Sequence, residues 1–339
     1  MRICFLMYPW ERIDPSQDST IRMIHEAVKR GHDVHVTYAS DLTIMNSVTY
    51  SHCKKIIEPV KVSSSIGAFY KEVKFDVEMI ELNTFDVIFM RDNPPLDNLV
   101  LNFLDSMKDD VFIMNSVDGL RVANNKIYTA AYYDPARELI PKTHVSKNIE
   151  YLERVILESE NQKLILKPLD GYGGSGVIVI EKTATQNIKS LLDFYINRDK
   201  GVSNYVILQD FIEGAEEGDI RILMLNGQPI GALRRRPSKG DVRSNISAGG
   251  SVERYKLTQA DKILCSKIGE KLVRDGIYFA GLDIINGKLV EVNVMSPGTI
   301  KDVNKLNKVK LQEKIIDYLE MVVEQRNKFK SSFRADLLY

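Results

Sequence analysis

Apolar and polar positions change their rhythm near residue 120. Residues 2–8 are almost all apolar, as expected of a strand buried on both faces. A polar loop follows, and Ser19 or Thr20 then stands where a helix cap is needed. That helix is expected to run to about Arg30 and to stop at Gly31. Residues 33–38 alternate like a strand, and residues 85–90 are another apolar run, ending in Arg91-Asp92-Asn93-Pro94-Pro95. Strand, helix and strand predict a parallel α/β layer over about the first 120 residues. Such layers bind ligands beyond the carboxyl ends of their strands. The loops at 9–19 and 91–98 occupy those ends.

After residue 120 the pattern becomes one of hairpins. Residues 163–168 are followed by 176–181, and residues 205–211 by 219–225 and 228–235. Residues 278–285 and 288–294 flank Asn286-Gly287, a strong signal for a tight hairpin turn. Helices are expected at 124–134, 148–159, 186–197, 258–275 and 309–328, and residues 328–339 as an exposed tail. The predicted fold class is therefore α/β followed by α+β. No internal repeat or low-complexity tract is present.

Charge narrows the functions more than composition does. The chain has 46 basic and 46 acidic residues, so no net field draws it to nucleic acid or an anionic membrane. Apolar residues are 44% of the chain, enough for buried cores, which argues against wholesale disorder. No apolar run approaches the ~18 residues that a membrane-spanning helix needs. The opening run is short and is ended by Pro9 and charge, so it reads as a strand and not as a signal peptide. Cys4, Cys53 and Cys265 are far apart and make neither a metal spacing nor a disulfide framework. A reduced, cytoplasmic setting is expected. The five histidines show no ligand spacing. Neither a Gly-x-Gly-x-x-Gly dinucleotide loop nor a Walker-type phosphate loop occurs, so any ATP use is not through a P-loop.

Four segments could carry chemistry. In Lys167-Pro168-Leu169-Asp170-Gly171-Tyr172-Gly173-Gly174-Ser175-Gly176 a strand ends in a lysine, and four glycines fall within six positions. Bare backbone amides could approach phosphate oxygens there. A flexible hairpin turn with a surface lysine is an equal reading of that segment alone. In the second segment, Asp283 interrupts an apolar strand, while Glu291 and Asn293 share one strand face. Carboxylate and amide oxygens suit Mg²⁺, and burying these acids without a cation would be costly. A two-residue turn alone would set Asp283 opposite Val290 and away from Glu291. A bulge is expected to bring the two acids to one face. The third segment, residues 234–250, holds Arg234, Arg235, Arg236, Lys239 and Arg243 within ten positions, with glycines and no apolar period. It reads as a basic loop able to close over an anionic substrate, against the alternatives of a solvated loop or a nucleic-acid patch. The fourth, residues 206–214, is a strand running into polar residues whose backbone could read an adenine edge. Asp219 and Arg221 follow, alternating with apolar neighbours as cleft-facing charges do.

Together these segments resemble the ATP-grasp superfamily, and within it the prokaryotic-type glutathione synthetases. The likeness covers about residues 1–326 and rests on the order of the motifs. Met90-Arg91-Asp92-Asn93-Pro94-Pro95-Leu96-Asp97 comes first, then Asn125-Lys126-Ile127-Tyr128-Thr129-Ala130, then Lys167-Pro168-Leu169-Asp170-Gly171 with Gly173-Gly174. Asn245 with Ala248-Gly249-Gly250, Gly281-Leu282-Asp283-Ile284-Ile285 and Glu291-Val292-Asn293-Val294 with Ser296-Pro297 complete the series. The resemblance implies an ATP-grasp fold behind an N-terminal parallel α/β domain. Its divisions would be 1–120 for substrate, 121–200 for a small subdomain with the glycine loop, 201–327 for catalysis and metal, and 328–339 as a tail.

It also implies roles. Lys126, Lys167, Gly171, Gly173 and Gly174 would hold ATP phosphates, Gln209, Asp210, Phe211 and Ile212 the adenine, and Asp219 the ribose side. Asp283, Glu291 and Asn293 would bind Mg²⁺, for which Mn²⁺ could substitute. Arg221, one of Arg235 and Arg236, and Arg243 would stabilise the charge that accumulates. The pattern Ala232-Leu233-x-Arg235-x-Pro237 favours Arg235. Asp18, Ser19, Arg91, Asn245, Ser296 and Pro297 would meet the substrates. The implied reaction phosphorylates the cysteine carboxylate of γ-glutamylcysteine, and glycine then attacks to give glutathione, ADP and phosphate. The implied partners are these small molecules and further copies of the chain, with neither nucleic acid nor membrane. Asp92, Asn124 with Asn125, Met295, Gly298 and Thr299 depart from the family's usual residues, mostly near where the two amino-acid substrates would bind. They keep a ligase with another acid or amine open as an alternative. A non-catalytic ATP-binding protein is the second alternative.

Overall fold

The structure is a computed structural model that describes residues 1–58, 62–169, 174–183, 187–198, 201–238 and 249–336. The chain opens as β1 (Arg2–Met7), α1 (Thr20–Lys29) and β2 (Asp33–Thr37). β1 lies parallel to β2 on one side and to β6 (Val87–Arg91) on the other, and β6 is parallel to β7 (Phe112–Met114). The expected parallel layer is thus present, but it is only part of the sheet. β3 (Leu42–Met45), β4 (Val48–Glu58) and β5 (Lys74–Glu81) extend it antiparallel, with α2 (Ile66–Glu72) between β4 and β5. The sheet order is β3-β4-β2-β1-β6-β7, with β5 on β4. The chain leaves β1 toward β2 and returns on the other side at β6, so the crevice beyond β1 and β6 is the topological switch point where such sheets take ligands.

Helix α1 ends at Gly31, which adopts φ +79°, as expected. Its cap is Asp18, not Ser19 or Thr20. Asp18 Oδ1 accepts from Ile21 N at 2.7 Å, while Ser19 is already helical at φ −87° and ψ −30°. The expected helix at 124–134 shrinks to α5 (Ile127–Ala130), behind α3 (Asn98–Asp105) and α4 (Val117–Ala123). Asn124 and Asn125 account for the break. Asn125 donates to the side chain of Asn124 and accepts from Ile127 N, local bonds that compete with a continuous helix.

Two antiparallel sheets follow. The four-stranded one has the order β10-β9-β11-β8, from β8 (Thr143–Ser146), β9 (Lys163–Pro168), β10 (Ile178–Glu181) and β11 (Val206–Asp210). With α6 (Ile149–Glu158) and α7 (Ile188–Ile196) it forms its own core around Leu152, Ile156, Leu166 and Leu192. β11 pairs with β8 and β9, which corrects the expected hairpin of 205–211 with 219–225. The five-stranded sheet has the order β14-β13-β12-β15-β16, from β12 (Asp219–Leu225), β13 (Gln228–Arg236), β14 (Ser251–Arg254), β15 (Phe279–Ile285) and β16 (Lys288–Asn293). α8 (Gln259–Arg274), α9 (Ile300–Asn307) and α10 (Leu311–Asp336) follow, and α10 runs on into the expected tail as far as Asp336.

The five-stranded sheet and the N-terminal sheet share two continuous cores. In one, Phe89 of β6 meets Phe279 of β15 edge-to-face at 6.2 Å. Asn115, just after β7, rivets the two sheets. Its Nδ2 donates to the carbonyls of Phe279 and Val294 at 2.8 and 2.9 Å, and its Oδ1 accepts from Tyr278 N and Phe279 N at 2.7 and 2.6 Å. Asn115→Ala leaves these buried backbone groups unpaired, so a loss of about 3 kcal/mol or more is expected. Urea unfolding followed by the fluorescence of Trp10 measures it. A loss below about 1 kcal/mol would show that the sheets do not depend on this side chain.

Candidate functional site

The hairpin of β15 and β16 builds the floor of a cleft. Asn286 and Gly287 both take positive φ, 43° and 74°, as a two-residue turn requires. Ile285 pairs with Lys288 and Ile284 with Leu289, and then the register slips so that Asp283 pairs with Glu291 and Gly281 with Asn293. Val290 is the residue left over at the bulge. Asp283 and Glu291 therefore share the cleft face, as the bulge reading expects.

Asp283 is only 4% exposed and stands between two arginines. Arg221 grips it through Nε at 2.5 Å and Nη2 at 3.0 Å, and Arg235 Nη2 reaches it at 2.9 Å. Arg235 is held in turn by Asp219, with Nε and Nη2 at 2.7 and 2.8 Å. Asn293 Nδ2 adds a bond to Asp283 at 3.2 Å. Register explains the gathering, because Asp219 pairs with Arg235 across β12 and β13, and Arg221 with Asp283 across β12 and β15. Gly218 permits the close start of β12, where a Cβ would lie 1.8 Å from the carbonyl oxygen of Arg235. Burial alone would raise the Asp283 pKa, but Arg221 and Arg235 overcome it and hold it at about 2. For Arg235, burial works downward and is outweighed by Asp283 and Asp219, so it stays firmly charged.

Facing this floor, Lys167 on β9 donates to Gln209 Oε1 at 2.7 Å, and Gln209 Nε2 donates to Thr143 Oγ1 at 2.8 Å. Burial lowers the Lys167 pKa, with Glu291 opposing. Lys126 Nζ lies 3.5 Å from Glu291. One cavity is lined by Lys126, Lys167, Gly174, residues 209–212, Asp219, Arg235, Asp283 and Glu291. A second shares Lys126 and Glu291 with it and continues past Arg221, Asn293, Met295, Ser296 and Pro297. A third shares Ser296 and Gly298 with the second and occupies the switch-point crevice, with Tyr8, Arg12, Asp18, Ser19 and Arg91 on its wall. The three lie side by side with shared walls.

Most expected site residues thus converge. Asp219 lines the first cavity, where its two oxygens accept from Arg235 and orient that arginine. Arg236 is a correction. Alternation along β13 turns it away from the cleft, its side chain is 42% exposed, and it pairs with Glu253 at 2.9 Å. Ser19 is buried, and its hydroxyl accepts from Ile300 N at 3.3 Å, so it ties α9 to α1. Gly171, Gly173, Arg243 and Asn245 lie outside the described residues. The residues that sequence reasoning missed are Tyr8 and Arg12 in the crevice and Thr143 behind Gln209. Only the position of Tyr8 and Arg12 just beyond a strand's carboxyl end could have pointed to them.

The donor set around Glu291 fits a hard cation. Glu291 offers a carboxylate to both cavities, and Asn293, whose Nδ2 is turned to Asp283, presents its carbonyl oxygen as the other arm of the amide. Asp283 would join only by loosening an arginine.

Comparison with known proteins agrees with this geometry. The sequence model for the prokaryotic glutathione synthetase ATP-grasp domain matches residues 125–308, and that for the N-terminal domain of the same enzymes matches residues 1–121. The glutathione synthetase of Synechocystis sp. is 34% identical over 94% of this chain and 99% of its own. That of Vibrio cholerae is 30% identical over 94% and 97%. Among solved structures, D-cycloserine synthetase DcsG superposes with a TM-score of 0.61 at 12% identity, covering 94% of this chain and 99% of its own. The D-alanine–D-alanine ligase of Coxiella burnetii gives 0.60 at 10% identity over all of both chains. At such identities the likeness is one of fold, and the fold is ATP-grasp.

The arginine clamp has a consequence in acid. A carboxyl held at about 2 in the folded chain titrates near 3.9 when unfolded, so its stabilisation is complete above about pH 4 and is lost as pH falls toward 2. About 2 kcal/mol of stability should disappear across that window. Urea midpoints at pH 6, 4 and 2.5, compared with those of Asp283→Asn, report it. An acid loss equal in both proteins would mean that the clamp does not depress Asp283.

Proposed function

The chain belongs to the prokaryotic glutathione synthetase family, and from that premise we infer how its cleft divides the work of an ADP-forming carboxylate–amine ligase. The reaction joins γ-glutamylcysteine to glycine at the expense of ATP. A carboxylate is a poor electrophile because it is already anionic. Transfer of the terminal phosphoryl group of ATP to the cysteine carboxylate supplies a leaving group. Attack by the glycine amine then forms the amide and releases phosphate.

The observation that carries this reading is the row of three neighbouring cavities with shared walls. The first accepts ATP, with residues 209–212 along the adenine and Lys126, Lys167 and Gly174 at the phosphates. Gln209 aims Lys167, and although burial works against its charge, Glu291 and an arriving polyphosphate favour it. The second, entered between Lys126 and Glu291, is where phosphoryl group, carboxylate and amine meet. Arg221 and Arg235 line these two cavities with their guanidinium groups fixed by Asp283 and Asp219, so developing charge meets dipoles that need no reorganisation. Glu291 and Asn293 would hold Mg²⁺, which would draw charge from the transferred phosphoryl group, with Asp283 as a ligand only where an arginine is released. Arg91, Ser296 and Pro297 lie on the acid side, where Arg91 Nη2 donates to Pro297 O at 3.2 Å. Water must be kept from the acyl phosphate.

The reading extends to setting. Among the described residues no helix is long and apolar enough to cross a membrane, and all three cysteines are buried free thiols. These support a reduced cytoplasmic location, and we infer a homo-oligomer of small-molecule function.

The direct test is Mg-dependent ADP release with ATP, γ-glutamylcysteine and glycine, omitting each in turn. Release should need all of them and yield a thiol of glutathione's mass. Release that needs a different acid or amine would move the substrate assignment, with Met295 on the wall of the second cavity as the first residue to exchange. Lys167→Ala and Glu291→Ala should each lower kcat by about 100-fold or more, while Arg236→Ala stays within about twofold. A large loss in Arg236→Ala would reverse the choice between the neighbouring arginines.

A further inference from the structure

We propose that Thr143 is a positioning residue for the nucleotide site, because its hydroxyl decides which end of the Gln209 side-chain amide faces Lys167. The proposal rests on the ligase reading above for one point, that Lys167 meets the phosphates of ATP. Gln209 and Lys167 line the nucleotide cavity and Thr143 does not, so the threonine acts through Gln209.

Strand register brings the three side chains together. β11 lies between β8 and β9, and Gln209 pairs with Thr143 on one side and with Ile165 on the other. Lys167 is the next residue after Ile165 on the same face of β9. Leu166 and Leu208 point the opposite way, into the core of the small sheet. Thr143, Gln209 and Lys167 therefore cross the sheet in a row, on the face that looks toward the arginine floor. All of them belong to the small sheet, so the row moves with it as a unit.

The donors in that row all point one way. Lys167 Nζ donates to Gln209 Oε1 at 2.7 Å, Gln209 Nε2 donates to Thr143 Oγ1 at 2.8 Å, and Thr143 Oγ1 donates to the Pro141 carbonyl at 2.7 Å. Each end fixes the direction, because an ammonium has donors only and a carbonyl only accepts. The hydroxyl has a single proton, and Pro141 takes it. Lone pairs alone are then left for Gln209, and they call for the Nε2 end of its amide. Oε1 is turned to the lysine as a result. The reversed amide would set an NH2 group against the ammonium, donor against donor, on a side chain only 5% exposed. Bonds in such a chain also polarise one another, so the lysine gains a stronger acceptor than an isolated amide provides. Without the hydroxyl, Gln209 Nε2 loses its buried partner, and nothing on the β8 side tells one end of the amide from the other.

The test compares Thr143→Val, which keeps the branched shape suited to a strand, with Thr143→Ser, which keeps the hydroxyl. Calorimetric titration of the full chain with Mg²⁺ and a non-hydrolysable ATP analogue reads nucleotide affinity without turnover. The valine variant should bind about tenfold more weakly, the size of one hydrogen bond to a charged group, and the serine variant within about twofold of wild type. In turnover, Thr143→Val should lower kcat/KM for ATP by about the same factor, while KM for γ-glutamylcysteine stays within about twofold. The deciding arm repeats the valine exchange on a Gln209→Glu background. A carboxylate offers an oxygen at either end and needs no orienting hydroxyl, so the exchange should cost less than about twofold in affinity there. A threonine that merely supports β8 would cost the same in both backgrounds. No binding of the analogue by wild type, wild-type affinity in Thr143→Val, a serine variant as weak as the valine variant, or equal losses in the two backgrounds overturns the proposal. Weakened binding in Thr143→Val with no ADP release by wild type on γ-glutamylcysteine and glycine would instead count against the ligase reading and leave the role of Thr143 standing.

Discussion

Four charged side chains buried in one sheet set the terms for the rest of the molecule. Asp219, Arg235, Asp283 and Arg221 alternate in sign, and each touches a partner of opposite charge. Any one of them left alone at that depth would cost several kcal/mol. The alternation holds only if β12, β13 and β15 keep their register. The local peculiarities of the sheet serve that need. Gly218 lets β12 begin against β13, Asn286 and Gly287 turn the chain in two residues, and the slip after Asp283 returns Glu291 to the same face. One electrostatic cluster thus explains several separate backbone features.

The cluster also explains why the cleft suits phosphoryl transfer. Its arginines are held before any ligand arrives, so they do not have to be ordered during the reaction. Their charge is largely balanced by Asp219 and Asp283. Lys126 and Lys167 sit beyond that balance, near Glu291, where an incoming polyphosphate and its cation would meet them. A site with all four cations and no acids would repel itself when empty. A site with fully paired charges would hold nothing. The observed division lies between these extremes.

Much of this was legible in the sequence, for identifiable reasons. Strands β9, β12, β13, β15 and β16 show in their apolar runs, and the spacing of Asp283, Glu291 and Asn293 shows the shared face once a bulge is allowed. Alternation separates Arg235 from Arg234 and Arg236, but it cannot say which face looks inward. That depends on pairing with Asp219, sixteen residues earlier in the chain. The helix cap was misplaced by one or two residues because Asp18, Ser19 and Thr20 are all capping types, and only the backbone angles choose among them. β3 to β5 were missed because Ile44, Met45, Val77 and Met79 stand exposed in them, so apolar positions do not mark one buried face. Asn115 had no signal at all, since its four partners are backbone groups more than 160 residues away.

The partition of the cores bears on how the cleft works. The N-terminal sheet and the five-stranded sheet are joined by two shared cores and by Asn115, so the switch-point crevice and the arginine floor form one rigid surface. The four-stranded sheet, which carries Lys167 and Gln209 and faces that floor, has a core of its own. A shift of the small sheet therefore disturbs few buried apolar contacts, whereas a shift between the other two would break many. Geometry among Arg91, Arg221, Arg235 and Asp283 is thus set by folding. The distance from Lys167 to that group is set by how the small sheet docks. Under the proposed function, charge stabilisation falls on the first surface, and the lysine at the nucleotide phosphates on the second.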